Sequence, residues 1–162
     1  MKSGSEQNLQ SVWGNSGKDV FAVGEQGTIL HYNGSSWSSM ESFTEANLMS
    51  VWGSSGTDVY AVGFNLDSAG GNSVILHYDG TAWSVAKDIA FCRLYAVWGR
   101  SAEDVFAAGS EGTILHYDGS SWSAMFSGTT GRLTGISGGK DVVYATGMIS
   151  NGGEGIILEY RP

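Results

Sequence analysis

The chain has 162 residues, a formal charge of −8, 25 glycines, one proline and one cysteine. A chain of this length buries roughly 68–70% of its unfolded surface and needs no staples, and the lone Cys92 excludes an internal disulfide framework. The acidic balance excludes the clustered lysines and arginines that nucleic acids or an anionic membrane surface require.

A hydrophobic share of 41% with 12% aromatics is too rich for a disordered chain. No apolar run approaches the 18 or so residues of a membrane span. The first residues, Met1 to Glu6, lack the apolar core of a signal peptide. A mature extracellular or cell-envelope protein would read the same, so the compartment stays open.

In chain order, the first predicted strand carries Val12 and Trp13, the second Asp19 to Val23, the third Thr28 to Tyr32 and the fourth Trp37 to Met40. The runs are rich in Val, Ile, Phe, Tyr and Trp, and Gly, Asn, Asp and Ser punctuate them, which is strand-and-turn chemistry. No segment sustains a 3.6-residue period, so helix is expected to be nearly absent.

The four runs then recur. Trp13 returns as Trp52 and Trp98, and Val12-Trp13-Gly14 returns in degraded form as Gly135-Ile136-Ser137. Asp19 returns as Asp58 and Asp104, with Asp141 read as the fourth copy; Trp37 returns as Trp83 and Trp122. The repeats cover about 9–44, 48–91, 94–128 and 133–162 of one module. Both faces of runs such as Thr28 to Tyr32 carry bulky groups, as in a sheet sandwiched between neighbours. Four short strands in roughly 40 residues, repeated, is the arithmetic of an all-β propeller built of four-stranded antiparallel blades.

These residues resemble the VWG…DVFAVG…GTILHYDG…W repeats of bacterial β-propeller proteins, with a logic similar to Kelch and Asp-box blades. The Gly-His and Trp-Asp pairs of WD40 blades are missing. The resemblance implies the architecture and little about ligand.

The fourth repeat stops after its third strand, and residues 1–5 lack the Trp that an outer strand would carry. An unpaired edge invites another chain. Three closures follow: a small four-bladed ring, two chains forming an eight-bladed ring, or one part of a larger propeller. The expectation leans to a homo-oligomer or a part of a larger propeller rather than a lone closed ring.

His31, His77 and His116 recur at one slot, but one histidine per blade puts them on different sheets, whereas zinc needs ligands about 2.0–2.1 Å from one ion. They are expected to bond a turn within their own blade, and Asp19, Asp58, Asp104 and Asp141 to cap the first turn through backbone N–H groups. No loop carries the converging oxygens of a calcium site. No metal or cofactor is expected. The arginines are too scattered for a sialidase-like site, and no catalytic residue stands out.

The residues outside the repeat carry the functional expectation. Blade two has Phe64, Asn65, Leu66, Asp67 and Asn72 between its second and third strands, and blade four has Met148, Ile149, Asn151 and Glu154 there. Such insertions gather on one face, often the binding face. The connections between blades, which add Phe43, Met49, Phe91, Arg93, Phe126 and Arg132, share that face. The expected function is a non-enzymatic binding or scaffold module acting through protein contacts or self-association. A lectin-like glycan-binding propeller is the alternative, and a fragment of a glycoside hydrolase comes third.

Overall fold

A computed structural model describes residues 3–66, 71–149 and 153–161. Blade one contains β1 (Leu9–Ser16), β2 (Asp19–Gly24), β3 (Ile29–Tyr32) and β4 (Trp37–Met40). Blade two contains β5 (Asn47–Ser55), β6 (Asp58–Asn65), β7 (Asn72–Tyr78) and β8 (Trp83–Ala90). Blade three contains β9 (Leu94–Ser101), β10 (Asp104–Gly109), β11 (Ile114–Tyr117) and β12 (Trp122–Met125), and blade four β13 (Arg132–Gly138), β14 (Val143–Met148) and β15 (Gly155–Tyr160). Each blade is an antiparallel meander in sequence order, and the fourth sheet has three strands. No helix occurs among the described residues.

The inner strands pack in succession, β1 on β5, β5 on β9 and β9 on β13. Each junction repeats one device. A Cβ at Gly53 would lie 2.7 Å from the Trp13 ring, one at Gly99 2.5 Å from the Trp52 ring, and one at Gly138 3.1 Å from the Trp98 ring. The glycine in each inner strand is therefore the seat for the indole of the preceding blade, and any larger residue would displace it.

Further out, the second-strand aromatic of one blade enters the Tyr–Trp pair of the next. Phe21 meets Tyr78 at 5.5 Å and Trp83 at 6.1 Å, edge-on to the indole, and Tyr60 meets Tyr117 and Trp122 in the same way. Edge-to-face pairs of this kind stabilise beyond their buried area. The core is thus a series of slabs between blades: Phe21, Leu48, Val59 and Leu76 in the first, Tyr60, Leu94, Val105 and Leu115 in the second.

Blade four corrects one register. Ser137 pairs with Tyr144 and Gly138 with Val143, as Trp13 pairs with Phe21 and Gly14 with Val20. Ser137 therefore occupies the Trp slot, and Val142, not Asp141, occupies the Asp19 slot. The turn is one residue shorter than in blade one, so a match on the letters Asp-Val slides the sequence by one position relative to the sheet.

Candidate functional site

The meander sends its β1–β2 and β3–β4 type turns to one end of every blade. The β2–β3 type loops and the connections between blades go to the other end. The two ends have different chemistry.

At the turn end, His31 Nε2–H donates to Asp19 Oδ1, His77 to Asp58 and His116 to Asp104, each at 2.7 Å and each within one blade. The histidine also lies against the second-strand aromatic, 4.5 Å from Phe21 in blade one and 4.4 Å from Tyr60 and Phe106 in the next two. The same aspartates accept from Asn15, Ser54 and Arg100 four residues earlier. The aspartate is thus a side-chain hub, where backbone capping was expected. It ties the first turn to the third strand.

At Asp104, burial pushes the carboxyl up, but Arg100 and His116 outweigh it and hold it below the usual value. Blade four has Val142 and Glu159 in these two slots, so it has no such clip; Glu159 pairs with Arg161 instead. Asn33, Asp79 and Asp118 close the third turns by accepting backbone N–H groups two and three residues on. Among the described residues, no three His, Cys, Asp or Glu side chains converge as a metal site.

The loop end carries the residues that the repeat does not explain. Phe64 is not a loop tip: it lies in β6 and is buried. The Arg93 guanidinium sits 5.4 Å over its ring, and the Tyr95 ring meets it edge-on at 5.5 Å. Arg132 in turn lies 4.3 Å over Tyr95. Phe64, Arg93 and Arg132 are therefore brought together by a residue that sequence reasoning missed. Tyr95 follows the buried Leu94 in an inner strand, and only the packing of blades two to four shows that its ring spans the gap.

Asn65 and Asn72 are not loop residues either: they close β6 and open β7 as an exposed cross-strand pair, and Met148 closes β14, while Leu66, Ile149 and Glu154 are exposed beyond the strands. Asp67 and Asn151 lie outside the described residues. Cys92 is buried, with its thiol pushed up by that burial.

The largest exposed groups on this end are phenylalanines in the connections between blades. Phe43 is 68% exposed, Phe91 78% and Phe126 99%. Phe43 and Phe91 also hold φ values of 57° and 60°. Blade three shows how unusual that is. Its 127–131 connection repeats the bonding of 42–46, with Ser127 and Ser42 each donating to a threonine carbonyl at 3.2 Å. In the Phe43 position blade three has Gly128, at φ 72°. A left-handed conformation is free for glycine and costly for phenylalanine. Acidic side chains of this end, Glu25, Glu41, Glu45 and Glu111, are exposed or half-buried, and Glu41 and Glu45 line one hollow with Phe43.

No protein-family model matches this sequence, and no curated protein does. Solved structures do. A structure described as YCF48 bound to D1 peptide aligns with 100% of this chain and 52% of its own, at 15% identity and a TM-score of 0.73. YCF48 from Cyanidioschyzon merolae aligns with 96% of this chain and 51% of its own, at 17% identity and a TM-score of 0.67. A chain from the outer coat vertex of COPII on membranes aligns with 97% and 47%, at 12% identity and a TM-score of 0.69.

The fold is a β-propeller. The chain spans about half the length of each of these propeller structures. No helix of the described residues is long and apolar enough to cross a membrane.

Proposed function

We propose that this propeller is a non-catalytic protein-interaction scaffold that binds an extended protein segment across its loop end. The observation that carries the reading is the set of large apolar side chains presented there. Phe43, Phe91 and Phe126 stand exposed in three successive connections, with Leu66, Met148 and Ile149 exposed where the longer loops of the same end leave their strands. Exposed apolar side chains grouped on one surface mark contact sites. Phe43 and Phe91 hold strained backbone to stand there, and strain of this kind collects at functional positions.

The turn end offers no such groups. Its aspartates and histidines are satisfied within their own blades. The flanking glutamates favour a segment that mixes basic and apolar residues. Among structures that share the fold, one is described as bound to a peptide and another as part of a coat assembly, which supports protein partners for a scaffold of this shape.

A phage-displayed random peptide library panned on the immobilised chain tests this. Enriched peptides should combine Lys or Arg with apolar residues. They should lose binding to the triple variant Phe43→Ser, Phe91→Ser, Phe126→Ser and keep it to Asp79→Asn at the turn end. An empty selection, or peptides that bind the triple variant as well as the parent, would sink the reading.

A further inference from the structure

The junctions between blades one and two and between blades two and three bury their valine and isoleucine slots; the two outermost blade faces do not. Val51 and Val97 are each 5% exposed, whereas Val12 in the same slot is 66% exposed. Ile29 and Ile75 are 1% and 0% exposed, whereas Ile157 is 75% exposed. One open surface is the leading face of blade one and the other is the trailing face of blade four. Apart from the slots described below, they are the two halves of the junction that the chain builds between blades one and two and again between blades two and three.

The aromatic slots match as well. Tyr32 and Trp37 stack at 5.3 Å, as Tyr78 stacks on Trp83 and Tyr117 on Trp122 at 5.5 Å. The latter two pairs each receive a ring from the preceding blade; Tyr32 and Trp37 receive none among the described residues. Tyr144 stands in the register position of Phe21, Tyr60 and Phe106, paired with Glu159 as those are with their histidines. Those three rings are buried, and Tyr144 is 38% exposed. One surface presents an aromatic side chain without a receiving pair, and the other a receiving pair without its aromatic.

We propose that the trailing face of blade four docks on the leading face of blade one of a second copy. The contact is made twice, so that two chains close an eight-bladed ring with each Tyr144 entering beside the Tyr32–Trp37 pair of the other copy. A head-to-tail contact closes only if its rotation does. This chain overlays 52% and 51% of the lengths of two longer propeller chains, a share that suits a ring completed by a second copy. Eight blades lie within the range such rings adopt. A second copy is the occupant that carries both complementary surfaces at the required positions.

The new junction lacks features of the internal ones: Thr146 stands in the slot of the buried Val23 and Val62, and blade four has no fourth strand to supply the contacts made by Met40 and Ile89. Ser137 replaces the indole knob. The seat at Gly14 is accordingly open: a Cβ there would meet Val20 at 3.2 Å and no incoming ring. Association is therefore reversible, and restoring the knob strengthens it. The proposal stands apart from peptide binding at the loop end, and either can fail without the other.

Light scattering on the size-separated 162-residue chain should give a mass rising with concentration from 17.1 kDa to twice that value and no further. Val12→Arg and Ile157→Arg should each hold the chain monomeric. Both sites are exposed, so far-ultraviolet circular dichroism and the melting temperature of the monomer should be unchanged. Mixing the two variants should restore a dimer, because one intact junction remains between unlike copies, and this outcome is unique to a head-to-tail contact.

Ser137→Trp should tighten dimerisation by roughly a hundredfold, about tenfold for the contact added at each of the two junctions, and Tyr144→Phe should leave it intact. A strict monomer at the highest soluble concentration for both the parent and Ser137→Trp would overturn the proposal. So would a dimer indifferent to both arginine variants, or open-ended growth beyond two copies.

Discussion

The junction between blades one and two and the junction between blades three and four use the same slots with different results. In the first, Phe21 is met by both Tyr78 and Trp83, and Trp83 is 2% exposed. In the last, Phe106 meets Tyr160 alone at 6.1 Å, because the fourth sheet ends at β15. A cavity of about 130 Å³ remains, lined by Phe106, Ile114, Met125, Ile136, Leu158 and Tyr160. The buried core shrinks with it, to Ala108, Leu133 and Ala145. The inner strands and the second strands pack across every junction. The outer strand, through its indole, seals the junction.

The sharpest way to test that difference is to remove the second-strand aromatic at each junction. Phe21→Ala should cost about 3–5 kcal/mol by urea unfolding, the usual loss for a packed core aromatic. Phe106→Ala should cost distinctly less, since one side of its ring already faces a void. Equal losses would mean that the cavity is closed in solution.

The knob seats come next. Gly99→Ala places a Cβ 2.5 Å from the Trp52 ring and 2.9 Å from the Asp104 carbonyl, and should cost about 1–3 kcal/mol through overpacking. Gly14→Ala meets nothing closer than the Val20 methyl at 3.2 Å and should be close to neutral in the monomer. A similar cost at both positions would show that something occupies the Gly14 seat.

A smaller effect is expected from rebuilding the missing clip. Val142→Asp with Glu159→His should place the partners of the Asp19–His31 pair in blade four. The gain should be about 1 kcal/mol, as for one hydrogen bond, and neither single change should give it. Additive single effects in the double-mutant cycle would show that the two slots do not meet.

The smallest effect is in acid. The Ser120 hydroxyl and the backbone N–H groups of Ser121 and Ser120 hold Asp118 at about 2, below its ordinary 3.8. A depressed folded-state value contributes stability above the ordinary value, and that contribution is lost as the pH falls through the folded one. The blade-three turn should therefore weaken between about pH 4 and pH 2, and Asp118→Asn should flatten that part of the profile. An unchanged profile would mean that the turn is equally well bonded in the unfolded chain. The three-stranded fourth sheet has no equivalent turn and should show no such step.

Much of the molecule was legible because each blade is a local meander. Trp13, Trp52 and Trp98 recur because each faces a glycine of the next blade, and the Asn33, Asp79 and Asp118 turns recur because their bonding partners lie two and three residues away. Legibility fell where a slot is defined by its partner strand rather than by its own letters. Asp141 looked like Asp19 but is displaced by a one-residue shorter turn. Phe64 looked like a loop tip, but Arg93 and Tyr95 cover it. The phenylalanines of the connections were visible as residues. Their exposure and their positive φ were not, because both depend on how one blade hands the chain to the next.

By itself, the sequence determined the strand count, the turns and the blade architecture. Alternation and turn residues are properties of short segments. Only the tertiary structure decided which repeated polar groups are spent inside their own blades and which apolar groups are left facing outward. It alone showed that blades one and four each keep an open half of a junction. The polar clips join residues 12 to 19 positions apart, as His31 with Asp19 and His77 with Asp58, and the blade junctions join residues about 40 apart, as Trp13 with Gly53; no local pattern encodes either.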